Sequence, residues 1–396
     1  MTADYIRESF SRMFLSVLFL LAQAATSSPA SPEDVVVVGR RAEQDLTACL
    51  ARDCPPAEDV EASLNASVEQ FGDGRYVDAQ RTLQSAIRRN KDHAAELPGP
   101  VSSLYATLAT VAEHEGLSKL WRHSARNNVL VLRRHLGRSN LATLGQELSF
   151  ADNMVGLGLP VAADKAYLDI QRRAVESSYA DVAAGAAFRR AWLALLQGRS
   201  GNAVRFADEA VRLAGADNQM ISELRDILKA RIAIRDGDAD AVDILAARLR
   251  RSPTKSPQLL FAPKFEDIVL ASYGMLTRFQ PDGSVRFIDV GYWIRPDGRP
   301  GDVEILRNEG IGRLGSEFVE QVGKRRYAPL AVKPGNPGIY RIDRFTVRAA
   351  YGIATGSRIP QRTGKPTVHV VDLTETDAMS AKARQQLQES AAEEGS

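Results

Sequence analysis

The side chains in this chain best suited to bind a metal, attack a substrate or carry a proton are two cysteines and five histidines. Cys49 and Cys54 lie in Leu46-Thr47-Ala48-Cys49-Leu50-Ala51-Arg52-Asp53-Cys54-Pro55-Pro56, a spacing that is not C-x-x-C. No histidine neighbours them, and zinc takes four protein ligands, or three and a water. In an exported chain an even count of close cysteines reads as a disulfide, here pinning the end of a short helix before a Pro-Pro stop; two free thiols are the alternative. His93, His114, His123, His135 and His369 form no H-E-x-x-H and no close pair at ligand spacing. His114 and His123 flank Gly116 and are expected on different helices, partly exposed. There is no G-x-S-x-G, no phosphate-binding G-x-x-x-x-G-K-[ST], and Gly156-Leu157-Gly158 falls between helices rather than after a strand. Asp282 and Asp297 sit in Asp-Gly turns, where the carboxylate serves the backbone. The expectation is a non-catalytic protein without metal or cofactor; an enzyme with scattered catalytic residues is the alternative.

The elements that would position such residues begin with the N-terminus. Arg7 and Arg12 precede the apolar run Met13 to Leu21, followed by Ala22-Gln23-Ala24 and then polar Thr26-Ser27-Ser28-Pro29. That order is a secretory signal cleaved after Ala24, and the run is short of the about 20 apolar residues a spanning helix needs. No later stretch is apolar enough to span, so residues 25–396 are expected to hold no stable membrane span. The 396 residues, 44% hydrophobic and 25% charged, suffice for two or three domains, and a net charge of +2 calls for no nucleic acid. The doublets Arg88-Arg89, Arg133-Arg134, Arg172-Arg173, Arg189-Arg190 and Arg250-Arg251 are interspersed with acids and read as solvated helix faces.

Residues 57–251 are rich in Ala and Leu and read as helices throughout. Gly74, Gly116, Gly158, Gly198 and Gly237 fall 42, 42, 40 and 39 residues apart, and Ala79, Ala163 and Ala203 follow three of them by five positions. A glycine closing one helix and a small residue early in the next let antiparallel helices approach, as a stack of about five helical pairs requires. Gly74-Arg75-Tyr76-Val77-Asp78-Ala79-Gln80-Arg81-Thr82-Leu83-Gln84-Ser85-Ala86-Ile87 resembles a tetratricopeptide repeat, and Gly198 to Val211 is similar. The period exceeds the family's about 34 residues, and Trp121 stands where an alanine is expected. The region is therefore TPR-like.

Composition changes at 252–262, where Ser252-Pro253-Thr254-Lys255-Ser256-Pro257 reads as a linker. Strands are expected over 268–279, 285–295, 303–307 and 339–351, with a short helix presenting Leu314, Phe318, Val319 and Val322. Gly291 to Leu306 resembles the strand, Asp-Gly turn and strand of the TonB C-terminal domain; Phe318-Val319-Glu320-Gln321-Val322-Gly323-Lys324-Arg325-Arg326-Tyr327-Ala328-Pro329 resembles its helix and R-F-x-P segment, and Arg344-Phe345-Thr346-Val347 its closing strand. The fold class expected is thus α+β multidomain: an all-α TPR-like solenoid, then a small α+β TonB C-terminal-like domain over 263–356. Residues 357–396 read as a polar, disordered tail.

The TonB resemblance implies a small sheet whose exposed edge binds a partner strand. Arg341, Asp343, Phe345 and Val347 are the expected contacts there. Within 25–56, Val35, Val36, Val37 and Val38 form a β-branched run ended by Gly39; it resembles the TonB box of outer-membrane receptors, a resemblance that implies strand addition to that edge, and a strand packed locally against the solenoid or a disordered leader is the alternative. Neither the uncleaved anchor nor the long Pro-rich spacer of an energy-transducing TonB is evident. The expectation is a periplasmic binding or scaffold protein of a Gram-negative envelope. Its partners would be envelope proteins, among them a TonB-dependent receptor or a TonB-like domain. A TonB-type transducer retaining its N-terminal segment is the alternative.

Overall fold

The computed structural model describes residues 41–249 apart from 157, 216 and 239, then 257–263, 285–348 apart from 334, 351–353, 360–362 and 367–374. The expected signal of 1–24, the valine run 35–38 and the expected strand over 268–279 lie outside the described residues.

Helices α1 (Arg41–Ala51), α2 (Pro56–Gly72), α3 (Tyr76–Asn90), α4 (Pro98–Glu115), α5 (Ser118–His135), α6 (Leu141–Gly156), α7 (Pro160–Glu176), α8 (Ala180–Leu196), α9 (Ser200–Ala214), α10 (Gln219–Arg235) and α11 (Ala241–Leu249) run in series. Each packs mainly against its neighbours in sequence. The five spaced glycines all adopt positive φ, from 74° to 106°. The amide that follows each one reaches back to a carbonyl in the last turn of the preceding helix: Arg75 to Gln70 (2.8 Å), Leu117 to Ala112 (2.8 Å), Leu159 to Met154 (3.0 Å), Arg199 to Ala194 (2.9 Å) and Asp238 to Ala233 (2.9 Å). This left-handed C-terminal cap reverses the chain within two residues. It delimits the pairs α2–α3, α4–α5, α6–α7, α8–α9 and α10–α11. Ala79, Ala163 and Ala203 are fully buried where paired helices meet. Trp121, at the equivalent position of the second pair, is also buried, in a cluster with Ala109, Ala112 and Ala125. The large ring is accommodated among these small neighbours.

The arginine doublets of the described residues are solvated faces only in part: Arg88, Arg134 and Arg172 are exposed, whereas the other members reach acids on neighbouring helices, and Arg250-Arg251 lies outside the described residues. Arg89 binds Asp59 through Nε (2.8 Å) and Nη2 (2.6 Å), Arg133 and Arg173 converge on the buried Glu147, Arg189 holds Asp152, and Arg190 reaches Asp164 (3.0 Å). On a helix, successive side chains point about 100° apart, so a doublet places one guanidinium toward the next helix whatever the other does. The acids that receive them are distant in sequence, which is why the doublets look unpaired in the chain.

Cys49 and Cys54 form a disulfide with Cα atoms 5.1 Å apart, joining the end of α1 to the start of α2. α1 is further held by Glu43, which pairs with Arg75 and accepts from Gln70, and by its Ala42 amide on Glu69. The closed loop is short, so replacing both cysteines by serine should cost only about 2 kcal/mol. Urea unfolding checks the cost, and thiol titration of the unreduced protein should find no free thiol.

The described residues from 257 onward form a small antiparallel sheet region with one helix. Strands β2 (Arg286–Ile294), β3 (Pro300–Glu309), β5 (Ile339–Arg348) and β8 (Thr367–Asp372) form an antiparallel sheet in the order β3-β2-β5-β8. β1 (Leu259–Phe261) pairs with β4 (Arg326–Tyr327), and β6 (Tyr351–Ile353) with β7 (Pro360–Arg362). The strands alternate as a two-sided sheet must. Ile288, Val290, Tyr292, Ile294, Phe345 and Val347 pack with Phe318 and Val322 of helix α12 (Gly315–Gly323). Phe287 and Ile342 turn the other way and share a cluster with Val60, Phe71, Tyr76, Leu104 and Leu108 of α2–α4. The sheet is therefore a layer between α12 and the first helical pairs. The expected polar tail is corrected in part: residues 360–362 and 367–372 are strands.

Candidate functional site

Helix α2 ends at Gly72, and its last carbonyls lack helical donors. β5 and β3 supply them. Arg344 Nη1 donates to Phe71 O (2.6 Å) and Tyr76 Oη (3.2 Å), and Nη2 to Gly72 O (2.7 Å). Arg307 donates to Gly72 O (2.9 Å) and Asp73 O (2.8 Å). A cation at a helix C-terminus also meets the negative end of its dipole. Arg344 is closed by Asp289 on the adjacent strand, through Nε (2.6 Å) and Nη2 (2.7 Å), and lies 4.0 Å from the centre of the Phe287 ring. Both charges of the pair are fully buried. Burial opposes the Arg344 charge, yet the hydrogen bonds to Asp289 and the contact with Tyr76 leave its pKa above the ordinary value.

Beside this pair, His114 at the end of α4 places Nδ1 2.8 Å from Thr346 Oγ1, and its ring stacks near Tyr76 and meets Phe71 edge-on. His369 of β8 lies 6.0 Å away, ring to ring, with Nδ1 3.5 Å from Glu113. Both histidines are buried, which corrects the expectation that His114 is a partly exposed helix residue. His369 was hidden from sequence reading because it lies in a segment that reads as tail. The alternation Phe345-Thr346-Val347 against Val368-His369-Val370 is the signal that could have found it.

Glu115, the residue after His114, has a buried Oε2 with no hydrogen-bond partner, and burial alone pushes its carboxyl up to about 7. Between the unfolded value near 4.5 and about 7 the folded protein holds the proton more tightly, so stability falls as pH rises through that window. Glu115→Gln should remove this slope and stabilise the protein at pH 8 by about 1–2 kcal/mol, the figure being discounted for partial solvent access. Thermal melts at pH 5 and pH 8 measure it; an equal shift at both would refute it.

A second buried charge cluster lies on the opposite face. Arg325 and Asp343, both fully buried, form an ion pair at 2.6 Å. Asp343 also accepts from Tyr292 Oη (3.0 Å) and Arg341 Nε (2.9 Å), while Arg325 Nε donates to Gln321 (3.1 Å). Burial and the Asp343 charge push the Tyr292 phenol well above its usual pKa.

The residues assigned from sequence to an exposed edge are thus placed differently. Arg341, Asp343, Phe345 and Val347 all lie on β5, but Asp343, Phe345 and Val347 are core residues and Arg341 is largely buried. β5 has β2 on one side and β8 on the other. The tail supplies the neighbouring strand, so the open edges among the described residues belong to β3 and β8. The described residues hold no group of three or more His, Cys, Asp or Glu able to bind a metal, and no helix long and apolar enough to cross a membrane. No protein-family model matches the chain, and no curated protein matches it.

Proposed function

We propose that this chain is an exported, non-catalytic binding or scaffold protein of the Gram-negative cell envelope, acting through a TPR-like solenoid and a TonB C-terminal-like sheet. The observation that carries the reading is the way the two parts join. Serial helical pairs, each packed on its neighbours, are locked through Arg344 and Arg307 to one face of a four-stranded sheet. Serial stacking leaves long helix surfaces uncovered by the fold itself, which is how repeat proteins present partner-binding faces. A sheet with free edges offers main-chain hydrogen bonds to an extended segment. Clamping the two together makes a rigid platform with two dissimilar surfaces, suited to holding envelope proteins in a fixed relation, a TonB-dependent receptor or a TonB-like domain among them.

Cell fractionation with intact-mass measurement tests the location. The chain should be recovered from the periplasmic fraction beginning at Ala25. A membrane-bound chain that retains residues 1–24 would overturn this reading in favour of an anchored energy transducer.

A further inference from the structure

One helix of the stack departs from its counterparts in charge. α7, α9 and α11 each carry as many acids as bases. α5 carries Lys119, Arg122, Arg126, Arg133 and Arg134 and no acid, and no Asp or Glu occurs anywhere from Gly116 to Gln146. The helix buries Trp121, Ala125, Val129 and Leu132. At about 100° per residue its cations all fall on the opposite side, where they are exposed. Arg133 is tied to Glu147 (2.6 Å) and, just past the helix, Arg138 to Asp169 (3.1 Å); among the described residues no acid pairs with Lys119, Arg122, Arg126 or Arg134. Cations in the last turn suit a helix, whose final carbonyls are the negative end of its dipole, but Lys119 in the first turn meets the positive end and works against it. The stripe is therefore more than a helix end-cap. Exposed leucines lie within it: Leu130 on the charged side, Leu136 just after the helix and Leu141 at the start of α6.

We infer that the outward side of α5, from Lys119 to the turn into α6, docks on an anionic phospholipid surface, with the free cations on the phosphates and Leu130, Leu136 and Leu141 seated among the headgroups. The inference goes beyond the envelope reading and does not need it, since vesicle binding by the purified chain stands or falls apart from where the chain is found. The 18 residues of α5 span about 27 Å, so a plane of phosphates meets Lys119, Arg122, Arg126 and Arg134 at once, and each guanidinium fork matches a phosphate group. Screening limits such attraction to about 8 Å at physiological salt. The contact side alone therefore decides the binding, and the chain's net charge of +2 is no guide to it. An acidic polypeptide would answer the cations equally well. It would not answer leucines set singly between them, whereas the boundary between headgroups and acyl chains takes cationic and apolar side chains together.

The test is co-sedimentation of the full chain with phosphatidylcholine vesicles, with and without about one third phosphatidylglycerol. The parent should bind the anionic vesicles at least about tenfold more tightly than the neutral ones, and raising the salt from about 0.05 M to about 0.5 M should remove most of that difference. Equal binding to both vesicles, or binding indifferent to salt, would overturn the inference without recourse to any variant. The triple variant Lys119→Gln, Arg126→Gln and Arg134→Gln should lose at least about tenfold on anionic vesicles. Arg81→Gln, Arg205→Gln and Arg212→Gln together remove the same charge from α3 and α9, and should stay within about twofold of the parent. A first triple variant that binds as the parent does, or a second that loses as much as the first, would show that α5 is not the docking surface. All these side chains are exposed, and unchanged thermal unfolding checks that the variants fold. Soluble polyglutamate is the competing probe. If it binds the parent more tightly than the anionic vesicles do, and Leu130→Ser with Leu136→Ser leaves vesicle binding unchanged, the face belongs to an acidic polypeptide and the lipid assignment is overturned.

Discussion

Replacing Arg344 by methionine is expected to destabilise the protein by about 3–5 kcal/mol, because it strands the fully buried Asp289 without its bidentate partner and with only Arg307, 3.9 Å away, as counter-ion. The loss extends beyond the ion pair. Arg344 is also the donor to Phe71 O and Gly72 O, so the end of α2 would keep only Arg307 as a capping cation. Methionine fills much of the same volume, which separates the charge from a cavity effect. Urea unfolding should show a lower midpoint, and the helical region and the sheet should no longer melt together when followed by separate probes. The double variant Arg344→Met with Asp289→Leu should recover part of the loss, since it leaves no unpaired charge in the core. A single variant within about 1 kcal/mol of the parent would show that the junction does not hold the two parts together.

Asp343→Asn should be nearly as damaging, at about 3 kcal/mol or more, although it preserves shape. Asp343 neutralises Arg325, which is fully buried, and shares Arg341 with Asp372. Asparagine would leave two guanidiniums in the domain interior with one partly exposed carboxylate between them. The experiment also separates two roles for this residue. As a surface contact for a partner, Asp343 would tolerate the change within about 0.5 kcal/mol and lose only binding. As the centre of a buried network it loses stability first, and any binding defect follows from that. Thermal unfolding of the isolated protein, with no partner added, decides between them.

The gap between these two readings of Asp343 shows what a sequence can carry. Arg341, Asp343 and Arg344 look like a charged edge because three ionisable residues in a strand are most often solvated. Their burial depends on counter-charges far along the chain: Asp289 for Arg344, Arg325 for Asp343 and Asp372 for Arg341. No local pattern marks such pairs. The partners of Arg89, Arg133, Arg173, Arg189 and Arg190 are hidden for the same reason, since Asp59, Glu147, Asp152 and Asp164 lie elsewhere in the chain.

What the sequence determined by itself was everything set by local backbone geometry. The glycines at 74, 116, 158, 198 and 237 mark positive-φ turns because few other residues accept that conformation cheaply. The buried alanines mark close helix approach, the Cys-Pro-Pro segment marks the end of α1, and alternating residues over 286–294 and 339–348 mark strands. These signals lie within a few residues of what they specify. Only the tertiary structure decided which surfaces are covered: that the sheet lies against α2–α4, that His114 and His369 meet, and that residues 367–372 fill the β5 edge. β8 is too short to declare itself beside polar neighbours, and its strand form depends on hydrogen bonds and apolar contacts that exist only once β5 is in place.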